Sequence, residues 1–294
     1  MTVDRRIVDL YNEYVHTALP RRAFLDRLAK IAGGTAAALA VLPLIEPNYA
    51  QARQTEPEDK RLKCERIVFN GPNGPVKAYT ARPAKIKRDK KIPGVLVIHE
   101  NRGLNEHIED VARRTALAGY VAIAPDGLSV AGGAPADQEA ARDLFAKQDP
   151  ERIATDVLAG IPWVAADYDN NGKVGVIGFC YGGGLALRAA VEGKGVDAAV
   201  AFYGRQPPAT DVPRIHVPLL LNYAGDDERV NAGIPEFKAA LDAARISYEM
   251  YTYPGTQHGF HNDSSAARYN EEAAKLAWQR TIAFFDKNLK ISAA

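Results

Sequence analysis

The chain has 294 residues, with 37 basic and 36 acidic side chains and a net charge of +1. So even a balance gives no basic face for nucleic acid, and no apolar run reaches the roughly 18 residues a membrane-spanning helix needs. Two cysteines, Cys64 and Cys180, cannot build a disulfide framework, and six histidines without H-E-x-x-H or C-x-x-C spacing give no metal motif. The expectation is no metal and no cofactor.

Residues 1–52 differ from the rest. Pro20-Arg21-Arg22-Ala23-Phe24-Leu25 resembles a twin-arginine export motif, followed by an Ala/Gly-rich apolar run, Ile31 to Ile45, and the small residues Ala50 and Ala52. This order of charged, apolar and small segments fits a signal segment cleaved near Ala50 or Ala52. The expected location is then the periplasm, with the cytoplasm as the alternative. The region before the arginines is long for a leader and has Ile7, Leu10, Tyr11, Tyr14 and Val15 at helical spacing. The alternative is therefore that residues 1–45 form two amphipathic helices of the mature protein. Residues 53–60 are polar and read as a linker.

Residues 61–294 read as one catalytic α/β domain. Lys63 to Phe69 and Val76 to Ala81 are β-rich and joined by Asn70-Gly71-Pro72-Asn73-Gly74, a hairpin signal. Gly94 to His99 reads as a buried strand, Ile108 to Ala118 as a helix, and Tyr120 to Ala124 as a strand. Helices follow at Ala134 to Lys147 and from Asp149-Pro150 towards Asp167, the latter kinked by Pro162. Strands at Val174 to Phe179, Ala198 to Tyr203, Val217 to Ala224 and Tyr248 to Tyr253 alternate with helices at Tyr181 to Glu192 and Glu236 to Ala244. A terminal helix, Ala266 to Asn288, has Ser264 or Ser265 as its cap. Alternating strands and helices predict a mostly parallel sheet with helices on both faces. Asp167-Tyr168-Asp169-Asn170-Asn171-Gly172 begins like a calcium loop, but Gly178 stands where the twelfth-position glutamate belongs, so it reads as a turn.

Gly178-Phe179-Cys180-Tyr181-Gly182 lies between a strand and a helix. It has the form of the G-x-nucleophile-x-G elbow of α/β hydrolases, with a thiol in place of the usual serine. The competing reading is a buried structural cysteine in a glycine-rich turn. An elbow nucleophile requires an acid and then a histidine on later loops. Asp227 follows the strand ending at Ala224, and His258 follows the strand ending at Tyr253. Their neighbours Asp226 and His261 are the competitors; motif spacing favours Asp227, and Gly259, which leaves room for the imidazole to approach the thiol, favours His258. A thiol at a helix N-terminus beside a histidine has a lowered pKa. The backbone N–H groups of Tyr181 and of Asn101 are the candidate oxyanion donors.

The segments His99-Glu100-Asn101-Arg102-Gly103, Gly178 to Gly183, Gly225-Asp226-Asp227 and His258-Gly259-Phe260 resemble those of dienelactone hydrolases (carboxymethylenebutenolidases) over roughly residues 61–290. The resemblance implies an α/β-hydrolase fold and a Cys180–His258–Asp227 triad that opens an enol-lactone through a thioester. It also implies that Glu100 hydrogen-bonds the resting thiol. The family's substrate-binding arginine, four residues after the catalytic histidine, is Asn262 here, and an amide cannot supply its bidentate charged contact. Arg102, Arg142 and His261 are candidate replacements. The expected partner is a small ester or lactone, with no nucleic acid and no membrane span, and the chain is expected to be a monomer. A broad carboxylesterase or acyl-peptidase on the same triad is the second reading. A non-catalytic binding protein with a redox-sensitive Cys180 is the third.

Overall fold

The computed structural model describes residues 3–17, 19–49, 53–87 and 90–290. Eight strands form one sheet: β1 (Leu62–Gly71), β2 (Gly74–Pro83), β3 (Ile92–Ile98), β4 (Val121–Pro125), β5 (Asn170–Phe179), β6 (Ala198–Phe202), β7 (Leu219–Ala224) and β8 (Tyr248–Tyr253). Their order is β1-β2-β4-β3-β5-β6-β7-β8. The β1–β2 hairpin and the β2–β4 pair are antiparallel, and every later pair is parallel. The central strands are unbroken apolar runs because helices cover both faces.

Helices α1 (Arg5–His16), α2 (Arg21–Ala32) and α3 (Thr35–Ile45) precede the sheet. Around it lie α4 (Glu106–Leu117), α5 (Gln138–Ala146), α6 (Pro150–Leu158), α7 (Gly160–Ala165), α8 (Tyr181–Glu192), α9 (Glu228–Asn231), α10 (Ile234–Ala243) and α11 (Glu271–Leu289). Helices α4 and α11 pack on one face, with Ile108, Val111 and Phe285 against Val97 and Val200. Helices α6, α7 and α8 cover the other, with Ile153, Val164 and Leu185 against Leu96 and Val176.

Among the boundaries that differ from expectation, three have a clear local cause. Helix α5 starts at Gln138 because Asp137 accepts a hydrogen bond from the Ala140 N–H and caps it there. The helix expected to kink at Pro162 breaks at Ala159, between α6 and α7 and three residues earlier, where the missing proline N–H leaves the Leu158 carbonyl without its helical donor. The terminal helix is capped by Asn270 rather than Ser264 or Ser265. Both serines are buried elsewhere: Ser264 Oγ donates to Asn262 Oδ1 and Ser265 Oγ to the Ile45 carbonyl.

Where the sequence offers a signal segment or two helices, residues 5–45 form three helices with a core of their own. Ile7, Tyr11, Tyr14, Phe24, Leu28 and Leu42 are buried together, and the Tyr14 and Phe24 rings stack at 4.3 Å. The unit is tied to the catalytic domain. Asn101 Nδ2 donates to the Val15 carbonyl at 2.8 Å, Arg142 Nη1 to the Tyr14 carbonyl at 3.2 Å, and Arg21 pairs with Glu139 at 2.8 Å. Among the described residues no single helix is long and apolar enough to cross a membrane. The cleavage positions Ala50 and Ala52 lie outside the described residues.

Candidate functional site

The site lies at the carboxyl ends of β3, β5, β6, β7 and β8, where open parallel sheets hold their ligands. Cys180 joins β5 to α8 with φ 55° and ψ −111°, a conformation that costs of order 1–3 kcal/mol in a non-glycine residue. The glycines around it make that turn possible. A Cβ on Gly178 would sit 1.8 Å from the Gly182 carbonyl oxygen, and one on Gly182 would sit 2.5 Å from the Ile98 carbonyl. The Cys180 N–H is tied to the Phe202 carbonyl at 3.0 Å, which anchors the elbow to the next strand.

Asp227 and His258 converge on the thiol. The loop after β7 places Asp227 so that its carboxylate accepts from the Val230 N–H, and the loop after β8 brings His258 Nδ1 to 2.5 Å from Asp227 Oδ2. Both side chains are buried. Asp226 instead faces Arg5 at 3.5 Å near the surface. A ring nitrogen of His258 lies within 4.8 Å of Cys180 Sγ. His258 Nε2 is buried and has no hydrogen-bond partner among the described residues. Burial alone disfavours the imidazolium, but the charge of the neighbouring thiolate and the bond to Asp227 outweigh it and raise His258 to about 9. Burial likewise pushes Asp227 up, and its bond to His258 more than reverses this, so its carboxyl is held below its ordinary value.

The thiol's nearest partner comes from outside the sheet. His16, the last residue of α1, places Nε2 3.4 Å from Cys180 Sγ, and its ring meets that of His258 edge-on at 4.4 Å. His16 Nδ1 lies 2.7 Å from the Asn12 carbonyl, which can only accept, so Nε2 keeps its lone pair towards the sulfur. Desolvation, then the neighbouring His258 and Arg229, hold His16 well below its ordinary pKa.

Glu100 does not make the bond expected of it. Its carboxylate accepts from Asn262 Nδ2 at 2.7 Å and from the Tyr203 hydroxyl at 3.4 Å, while His16 stands beside the thiol. Tyr203, at φ 39°, packs its ring 4.9 Å from that of His258. Neither His16 nor Tyr203 was a candidate from the sequence. The only signal for His16 was the apolar helical spacing before the arginines.

A cavity of ≈1200 Å³ opens over the thiol, lined by His16, Asn101, Tyr181 and Tyr203 among others. Of the substrate-binding candidates, Arg102 and His261 do not line it, and neither does Asn262 at the arginine's position. Arg102 is buried and donates to the Tyr11 hydroxyl at 3.2 Å. Asn262 is spent on Glu100 and Ser264. His261 packs among Phe179, Phe202 and Trp278 beneath the elbow. Arg142 does line the cavity, with its guanidinium 3.8 Å over the Tyr14 ring.

A nucleophile on a strained strand-to-helix turn, with acid and base on later loops of a parallel sheet, is the plan of an α/β hydrolase. Within that class the chain belongs to the dienelactone hydrolase family, whose model matches residues 76–289. A protein from Saccharolobus solfataricus (strain ATCC 35092 / DSM 1617 / JCM 11322 / P2), provisionally named as a carboxymethylenebutenolidase, is 30% identical over 256 residues, covering 74% of this chain and 96% of its own. A provisionally named hydrolase fragment, YghX, from Escherichia coli (strain K12) is 50% identical over 115 residues, covering 38% of this chain and 97% of the fragment. The crystal structure of a provisionally named dienelactone hydrolase from Klebsiella pneumoniae subsp. pneumoniae MGH 78578 is similar with TM-score 0.68 and 29% identity, covering 77% of this chain and 99% of that one. The protein is a hydrolase acting on ester bonds.

Proposed function

We propose that the enzyme is a cysteine-dependent hydrolase of a small ester or lactone, working through a thioester. The observation that carries this is the Asp227–His258 pair brought to Cys180 at the elbow. The Cys180 thiolate attacks the carbonyl carbon, and the resulting oxyanion is received by the backbone N–H groups of Tyr181, which opens α8, and of Asn101. The intermediate collapses with cleavage of the C–O bond, and the His258 imidazolium protonates the departing alkoxide. His258, now neutral, takes a proton from water. The hydroxide adds to the thioester, and the thiolate leaves to restore the resting pair. Glu100 reaches the thiol in this scheme only by giving up its bonds to Asn262 and Tyr203. A Glu100→Gln variant with unchanged kcat removes it from the reaction.

A panel of aryl esters and unsaturated lactones, with Cys180→Ala as the control, tests the proposal. Turnover that survives in Cys180→Ala overturns it. The cavity volume favours keeping a broad carboxylesterase as the second reading, since small-ligand pockets are commonly about 300–1,000 Å³. Cleavage of long acyl esters without lactone activity supports that reading.

We also propose that α1–α3 stay with the mature protein. Removal after Ala50 or Ala52 would strip the bonds to Asn101, Arg142 and Glu139 and take His16 from beside Cys180. The competing proposal, export by a twin-arginine route, rests on the motif alone. N-terminal sequencing of protein from fractionated producing cells tests both, and a first residue beyond 50 overturns retention.

A further inference from the structure

His16, Cys180 and His258 come from three separate parts of the chain, yet each offers a ligand atom within 4.8 Å of the other two. One sulfur and two imidazole nitrogens form a borderline-soft donor set of the kind that selects zinc and similar d-block cations over magnesium or calcium. No carboxylate belongs to the trio. Around a tetrahedral zinc, a bond of about 2.3 Å to sulfur and about 2.0 Å to nitrogen separate the two donors by roughly 3.5 Å. The distance from Cys180 Sγ to His16 Nε2 is 3.4 Å.

The outer contacts fit as well. A metal-bound imidazole is oriented by a hydrogen bond from its second nitrogen to a carbonyl or carboxylate. His16 has Asn12 O at 2.7 Å in that role, and His258 has Asp227 Oδ2 at 2.5 Å. His258 Nε2 is buried and unpartnered among the described residues, so no hydrogen bond has to be broken for it to take an ion in place of its proton. His16 and Cys180 line the cavity, from which a water or a substrate oxygen could supply a fourth ligand.

We propose that His16, Cys180 and His258 form a site for a divalent zinc-type cation, and that the bound ion holds the enzyme inactive. Binding forms a sulfur–metal bond at Cys180 and a nitrogen–metal bond at His258, and releases to solvent the one proton that the pair holds. No oxidant or reductant is involved. The ion occupies the sulfur lone pair that would attack substrate and the nitrogen lone pair that would accept a proton. Chelation returns both. The N-terminal helices make the site: without His16 only two protein ligands remain, too few for tight zinc binding.

The inhibitory effect rests on the proposed thiol mechanism, but the site itself does not. The test therefore reads metal and turnover separately on the full-length protein. Equilibrium dialysis should give one zinc per chain, and the cobalt-loaded protein should show thiolate-to-cobalt charge-transfer absorption. His16→Gln, which keeps a polar group facing Asn12, and Cys180→Ser should each weaken zinc by at least about 10-fold, while the exposed-surface control His216→Ala keeps the wild-type affinity. Zinc should abolish ester turnover in step with occupancy, and a chelator should restore it. Absence of stoichiometric binding, or binding indifferent to His16→Gln, overturns the site. Full occupancy with undiminished turnover overturns the inhibition. Binding with the expected His16 dependence in a protein that hydrolyses no ester upholds the site and overturns the hydrolase reading.

Discussion

Two glycines separate the cost of backbone strain from the cost of collision. Gly172 has φ 89° and open space where a Cβ would go, so Gly172→Ala should cost only the left-handed penalty of about 1–2 kcal/mol. Gly178 has a fixed carbonyl oxygen 1.8 Å from its Cβ position. Backbone cannot swing aside as a side chain can, so Gly178→Ala should cost more than about 3 kcal/mol or abolish folding. Denaturant unfolding of both variants measures the contrast, and equal losses would show that the elbow is not tightly closed. At His258 the prediction concerns pH. Its value of about 9 lies above the unfolded one of about 6.5, so its contribution to stability is full below pH 6.5 and is lost as pH rises through 9. On the proposed mechanism, activity should fall through the same alkaline range, as the imidazolium assigned to protonate the leaving group disappears. His16 has the opposite sign: held neutral by burial and by His258, it opposes folding as pH falls below its unfolded value. In Cys180→Ala the thiolate charge is gone, and the His258 imidazole signal in NMR should titrate lower than in the wild type. The convergence of Asp227 and His258 on Cys180 was readable because the elbow pattern points to the loops after the later strands. His16 was not, because its meeting with Cys180 spans 164 positions and depends on how a separate unit docks.

At the level of elements, legibility followed local causes. Helix α8 and strand β8 have the predicted ends because both carry sharp signals: the elbow and Gly193 for one, Ser247 and Pro254-Gly255 for the other. Strand β5 begins four residues earlier than expected. The Asn170 N–H is bonded within the preceding turn, while the Asp169 carbonyl accepts from the Ile92 N–H and brings Asn170 into register with β3, a tertiary cause with no local signature. The start of α11 was misplaced for a related reason. The loop from Ser264 to Arg268 is polar enough to read as a cap, but it is drawn against α3, where the Ala267 N–H donates to the Leu44 carbonyl. The N-terminal helices are the element whose docking matters most. Phe24 is fully buried and stacks on Tyr14, so Phe24→Ala should cost about 3–5 kcal/mol within that unit. Hydrogen exchange should then quicken in α1–α3 while the amides of β5 and β6 stay protected. Uniform loss of protection across the sheet would mean that the helices and the catalytic domain unfold as one.

For the whole molecule, a net charge of +1 hides an uneven distribution that bears on the substrate. Most cavity cations are already neutralised: Arg21 by Glu139 and Glu46, Arg142 by Asp143, Arg188 by Glu151 and Glu192, and Arg214 by Asp211. Lys147, Arg205 and Arg229 also line the cavity and form no ion pair with any described residue. Arg205 lies two residues beyond Tyr203 after β6, and Arg229 two beyond Asp227 after β7, so both stem from the strand ends that frame the thiol. This places positive charge around the nucleophile although Asn262 has lost the family's arginine and is turned to Glu100. An exposed guanidinium acts within a Debye length of about 8–10 Å at ordinary salt. It therefore attracts a carboxylate-bearing ester without touching the reacting carbonyl. Replacing both with glutamine should raise KM for an anionic aryl ester by roughly 10-fold, the equivalent of about 1.4 kcal/mol, with kcat little changed and KM for a neutral ester of the same shape unaffected. Added salt should reproduce part of the effect in the wild type and less of it in the double variant. If KM rises equally for the anionic and the neutral ester, the two arginines shape the cavity wall and do not select charge.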